Sequence, residues 1–199
     1  MTADSEASVS SSDEALIALC ATGDRQAFDR LVDRHGGALY RFAARQCGSS
    51  RNAEDAVQDG LLAAWRSAST FRGESSPRSW LFQIVLHACR RRQRRRAGEP
   101  TSHATMEEAE GVADGGARAD EAAARRETGA ALSRALADLP DEAREVLLLR
   151  DVEGMSGPEA AAILGIGLPA MKSRLHRARL ELKERVEAIL GHPLEETRS

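Results

Sequence analysis

The chain has 199 residues, 42% of them hydrophobic and 30% charged, with a formal net charge of -3. That composition supports one moderate core or two small ones and excludes disorder throughout. The longest uncharged stretch, 160–171, is broken by Gly165, Gly167 and Pro169. It falls well short of the roughly 18 apolar residues a membrane helix needs, so no membrane insertion is expected.

Residues 1–12 carry Asp4 and Glu6 among serines, with no basic start leading into an apolar block. They read as a disordered N-terminus rather than a secretory leader, and a cytoplasmic location follows. Asp13 opens a short helix with Leu16, Ile17 and Leu19 that stops near Gly23. A second helix carries Phe28, Leu31, Val32, Leu39, Tyr40 and Phe42 at three- and four-residue spacings, and Gly36-Gly37 inside it can bend it. After the break at Gly48-Ser49-Ser50, Asn52 is placed to cap a third helix whose first turn holds Glu54 and Asp55, where the helix dipole favours acids. Val57, Leu61 and Trp65 form its expected buried stripe, which leaves Glu54, Asp55, Gln58, Asp59 and Leu62 on other faces.

A loop at 71–76 leads to Ser76 as N-cap and Pro77 at the first helical position, where a missing N–H costs nothing. In the helix that follows, Trp80, Leu81, Ile84, Val85 and Ala88 are expected inside, with Arg78, Gln83, His87, Arg90, Arg91 and Arg94 outside. Cys20, Cys47 and Cys89 are odd in number and never form a C-x-x-C pair, so three thiols are expected and no disulfide or zinc site.

Charge is segmented beyond this point. Arg78 to Arg96 holds seven arginines and no acid, Glu99 to Glu121 holds seven acids against Arg118, and Lys172 to Arg179 is basic again. Residues 97–127, rich in glycine and small polar residues, read as a flexible acidic linker between a domain at 13–96 and one at 128–190, with 191–199 a tail. In the second domain, 131–137 and 140–153 read as helices ending at Gly154. Ser156 and Glu159 have capping-box spacing before a short helix. Gly165-Ile166-Gly167 is a tight turn, and a last helix starts at Leu168. Its stripe of Leu168, Met171, Leu175, Ala178, Leu182, Val186 and Ile189 leaves Lys172, His176, Arg179 and Lys183 aligned on another face. Two helices, a glycine turn and a basic second helix describe a helix-turn-helix, whose N-terminal residues face base edges in a major groove. Arg174 is the expected base reader, since its planar fork pairs with guanine, and Lys183 an expected phosphate contact. The five histidines are scattered outside any H-x-x-x-H motif, and no phosphate-binding glycine loop is present. A non-enzyme without cofactor or metal is the default.

Taken together, Ala53-Glu54-Asp55-Ala56-Val57-Gln58-Asp59 with Ala64-Trp65-Arg66, Ser79-Trp80-Leu81-Phe82-Gln83-Ile84 with the arginine run, Leu139-Pro140, Glu153-Gly154-Met155-Ser156 and Lys172 to Arg179 resemble the extracytoplasmic-function (ECF) sigma factors of bacterial RNA polymerase. The resemblance implies an all-α chain of two small helical domains. Glu54, Asp55, Gln58, Asp59 and Leu62 would dock core RNA polymerase. Phe71, Arg72, Ser75, Ser76, Arg78, Gln83, His87, Arg90 and Arg91 would hold the melted -10 strand. Lys172, Ser173, Arg174, His176, Arg177 and Arg179 would bind the -35 duplex, and the linker would thread basic channels of the polymerase. Promoter DNA and an anti-sigma factor are the further partners it implies. Pro77, His87 and the 167–170 turn depart from the family pattern, so family promoter sequences do not carry over. The alternatives are a stand-alone operator-binding regulator, which would bind duplex tightly without polymerase, and a helical adaptor, which would show no promoter-dependent activity.

Overall fold

The computed structural model describes residues 12–96 and 119–193. The expected N-terminal segment up to residue 11, most of the expected linker (97–118) and the tail from 194 lie outside the described residues. The chain divides into two compact units, within 1–103 and 104–199, and every described element is helical or a turn.

In the first unit, α1 (Asp13–Ala21) is capped by Ser12, whose Oγ accepts from the Ala15 N–H at 3.2 Å. Asp13 ties it to the next helix, accepting from Arg34 at 2.8 Å and meeting His35 at 2.7 Å. Helix α2 (Arg25–Cys47) starts on the Asp24 carboxylate and ends at Gly48, whose φ of 74° closes the helix in a conformation glycine adopts without cost. It runs unbroken through Gly36-Gly37. Helix α3 (Ser50–Ser67) is capped by Ser49 rather than Asn52. Asn52 stands three residues in, and its N–H donates to Ser49 Oγ at 3.4 Å.

The buried stripe of α3 is also displaced from the expected one. It consists of Ala53, Ala56, Gly60 and Ala64, while Val57, Leu61 and Trp65 are half-buried beside it. Small side chains are what this contact requires, because a Cβ on Gly60 would stand 2.8 Å from Val85 Cγ2 of α4. Helix α4 (Pro77–Arg96) begins where Ser76 Oγ accepts from the Ser79 N–H at 3.1 Å. It packs on α1, α2 and α3, so it buries Phe82, Leu86 and Cys89 as well as the expected Leu81, Val85 and Ala88. Phe82 meets Phe42 edge to face at 5.2 Å.

That packing overturns the expectation of three thiols. Cys47, the last residue of α2, and Cys89 of α4 form a disulfide, with Cα atoms 5.6 Å apart. Spacing rules see only local pairs, whereas this pair is made by two helices crossing 42 residues apart in sequence. Cys20 stays free and buried; burial, with Asp24 nearby, pushes its thiol up.

In the second unit, α5 (Ala119–Ala137) begins inside the stretch read as linker. It buries Ala131 and Ala135 against Val186 of the last helix, with Leu182 and Leu190 alongside. Helix α6 (Asp141–Leu147) passes into a π-helical turn (Leu148–Val152), so the 140–153 segment is not one regular helix. Buried Arg144 closes α5 by donating to the carbonyls of Leu136, Ala137 and Leu139 at 2.6–3.0 Å. These carbonyls lie in and just after the last turn of α5, where intrahelical donors run out. Helix α7 (Gly157–Leu164) carries the full capping box: Glu159 N–H donates to Ser156 Oγ at 3.3 Å, and Ser156 N–H to Glu159 Oε2 at 2.9 Å. Gly165, at φ 70°, turns the chain into α8 (Leu168–Leu190), completing the helix-turn-helix.

Candidate functional site

The acids and neighbours of α3 separate into two groups on the folded helix. Glu54, Gln58 and Leu62 lie one turn apart in succession and are exposed, Leu62 by 46%. With Val57, Leu61, and Phe28 and Tyr40 of α2, they line an apolar groove of about 390 Å³. Asp55 and Asp59 lie on the adjoining side, towards α4. Each accepts from one terminal nitrogen of Arg92 in α4, at 2.8 Å in both cases. Of the five residues expected to act together, Glu54, Gln58 and Leu62 border the groove, while Asp55 and Asp59, each 44% exposed, are paired with Arg92. Tyr40, one of the apolar residues in the α2 pattern, is exposed at the groove. A helical period with two apolar neighbours, Leu39 and Tyr40, could not say which one pointed inward.

The loop after α3 gives a similarly divided result. Phe71 is half-buried and packs on Trp80 with ring centroids 5.2 Å apart, while Trp65 packs on Phe28 at the same distance. Both tryptophans and Phe71 belong to the core around Leu16 and Ile17. Ser76 spends its hydroxyl on capping, donating to Ser79 Oγ at 2.8 Å, and Ser75 is half-buried. Arg72, the loop's one cation, has a side chain 82% exposed and lies 4.0 Å from Glu74. On α4, Arg78 lies over the Phe82 ring at 5.0 Å. Gln83 and Arg90 are half-buried, whereas His87 and Arg91 are exposed. The outward ridge of α4 thus runs through Gln83, His87, Arg90 and Arg91 towards Arg94 and Arg95. Arg92 leaves it for the α3 acids.

On α8 the buried side is Met171, Leu175, Ala178 and Val186. Opposite stand Ser173, His176 and Arg177, with Lys172 at the edge of the same face, all exposed within the first three turns. The other two expected contacts lie on the flanks, and each has a carboxylate partner. Arg174 is half-buried and meets Glu142 of α6 at 3.0 Å. Arg179 donates from Nε to Asp151 Oδ2 at 2.9 Å and from Nη2 to Oδ1 at 2.6 Å. Its hydrogen bonds to Asp151 raise its pKa above the ordinary arginine value. Glu142, Asp151 and Arg92 escaped the sequence reading because pairing between helices has no local spacing signal. Among the described residues, no cluster of histidine, cysteine and carboxylate side chains could hold a metal, and no helix is long and apolar enough to cross a membrane.

Residues 31–99 match the Sigma-70 region 2 family model and residues 129–182 the Sigma-70, region 4 model. The chain is 40% identical over 171 residues to the ECF RNA polymerase sigma factor SigM of Mycobacterium tuberculosis, across 86% of this chain and 83% of that one. It is 37% identical to the RNA polymerase sigma factor CnrH of Cupriavidus metallidurans, across 88% and 95%. Among solved structures it resembles CnrH in complex with the cytosolic domain of CnrY, at TM-score 0.63 and 34% identity, covering 89% of this chain and 99% of that chain. It also resembles the sigma factor RpoE of Bartonella quintana, solved with the anti-sigma factor NepR, at TM-score 0.64 and 28% identity, covering 80% and 96%.

Proposed function

The chain belongs to the ECF RNA polymerase sigma factors, and from that premise we propose how its two helical units divide the work of promoter engagement. As a sigma factor it binds core RNA polymerase and directs promoter-specific initiation. The first unit would dock the polymerase through Glu54, Gln58 and Leu62 and the apolar groove they border. Its α4 ridge, with Arg72, would hold the -10 strand by backbone charge, a contact that weakens steeply with salt. The second unit would place the start of α8 in the -35 major groove. Joining two weak sites on one chain raises the effective concentration of the second once the first is engaged. The acidic linker would then serve as the tether and thread basic channels of the polymerase.

The observation that carries this reading is the outward face of α8. Ser173, His176 and Arg177 stand opposite the buried stripe with Lys172 at their edge, all exposed, at the end of the helix that a helix-turn-helix presents to base edges. The chemistry of RNA synthesis would belong to the polymerase, with no catalytic group supplied by this chain, and the site of action would be the cytoplasm. The complexes of CnrH with CnrY and of RpoE with NepR support an anti-sigma partner here as well. A stand-alone regulator or an adaptor would leave the region 2 match without a role. The deciding experiment is reconstituted transcription with bacterial core polymerase over a promoter library. Initiation from a restricted set is expected, and initiation never above background would overturn the reading.

A further inference from the structure

We propose that Asp151 is a positioning residue for promoter binding, fixing the Arg179 guanidinium so that its free edge meets the DNA backbone. The inference rests on the assignment of α8 to the -35 duplex. Asp151 lies in the π-helical turn Leu148–Val152, where Glu153 N–H reaches back to the Leu148 carbonyl at 2.9 Å and Met155 N–H to the Leu149 carbonyl at 3.0 Å. From this turn both Asp151 oxygens engage Arg179, in the paired fork geometry that makes arginine–carboxylate contacts directional. The fork uses Nε–H and one hydrogen of Nη2. Both hydrogens of Nη1 and the second of Nη2 are left for another acceptor.

Arg179 remains 56% exposed, so this is a held cation at the surface rather than a buried pair. Even in fork geometry a pair this exposed adds only modestly to stability, so folding gives it a small role. Orientation is a different matter. An unrestrained arginine loses rotamer freedom on binding, whereas one already held in place does not. Glu142 is a poorer case, since it is 73% exposed and gives Arg174 a single contact at 3.0 Å.

The sign of the effect separates this role from simple electrostatics. Removing an acid from a DNA-facing surface should tighten binding if charge alone matters. Removing a positioning residue should loosen it, most clearly at salt near 0.15 M or above, where the screening length is about 8 Å or less. The test is promoter binding by the full chain assembled with core polymerase. Asp151→Ala is expected to weaken binding about three- to tenfold. Asp151→Asn, which keeps one acceptor, should fall between it and the parent. Arg179→Lys should resemble Asp151→Ala, because an ammonium cannot take up the fork. In an Arg179→Ala background, Asp151→Ala should cost nothing more. Tighter or unchanged binding by both Asp151 variants would overturn the proposal, as would an equal loss in the Arg179→Ala background. A parent chain that recruits polymerase to no promoter would take down the sigma-factor assignment together with this one.

Discussion

Arg92 of α4 donates to Asp59 of α3 at 2.8 Å, with Asp55 held by the same guanidinium at the same distance. One side chain thereby joins the helix assigned to polymerase to the helix assigned to the -10 strand. Arg92 is 26% exposed and each aspartate 44%, so screening limits the contact to about 1 kcal/mol despite its good geometry. Arg92→Ala should lower the stability of the first unit by that amount, read by thermal unfolding. Asp55→Asn with Asp59→Asn should lower it similarly in the parent and hardly at all in the Arg92→Ala chain. Equal losses in both backgrounds would show that the aspartates act through something other than Arg92.

The groove residues should behave in the opposite way. Leu62 is 46% and Tyr40 38% exposed, so neither contributes much to the core. Leu62→Ala and Tyr40→Ala are each expected to cost about 1 to 2 kcal/mol in affinity for core polymerase, while the unfolding transition shifts little. Polymerase binding that survives both changes would move the docking face elsewhere on the unit.

These two cases mark what local patterning could and could not reveal. The capping box of Ser156 and Glu159, the Ser76 cap and the turn through Gly165 were legible because each is a spacing of a few residues. The core of α3 was not. Its position was set by how closely α4 approaches Gly60, so small residues, rather than the larger Val57, Leu61 and Trp65, occupy the contact. The same limit hid the Cys47–Cys89 bond and the carboxylate partners of Arg92, Arg174 and Arg179. All are products of helix crossing, which periodicity does not encode.

The Cys47–Cys89 bond carries its own expectation. It closes a 42-residue separation, and cross-linking a loop of that length restricts the unfolded chain by about 2 to 4 kcal/mol. Reduction, or Cys89→Ala under the same conditions, should lower the melting temperature of the first unit by roughly 10 °C or more. Alkylation of the unfolded protein before and after reduction counts the thiols. Cys20 alone should react before reduction, and three reactive thiols at that stage would show the pair to be reduced under the conditions used.

Arg177 rather than Arg174 is the arginine of α8 expected to read bases. Position near the helix start favours Arg174, but the fold turns its guanidinium onto Glu142 and leaves it half-buried on the flank. Arg177 stands one turn further along, exposed, in line with Ser173 and beside His176 on the face opposite the core. A bidentate arginine–guanine pair needs a side chain that reaches the groove floor, which the outward face provides and the flank does not. Arg177→Ala should therefore cost about 1 to 3 kcal/mol at the preferred -35 sequence and flatten discrimination among variants. Arg174→Ala should cost less than about 1 kcal/mol, nearly equally for every variant, since it removes a partly exposed ion pair off the reading face. Lys183→Ala, further along the helix, should leave discrimination intact and reduce the salt slope by about one ion. The measurement is promoter binding by the assembled polymerase across -35 variants and salt concentrations. If Arg174→Ala rather than Arg177→Ala flattens the discrimination, Arg174 leaves Glu142 when DNA binds and the reading face begins one turn earlier.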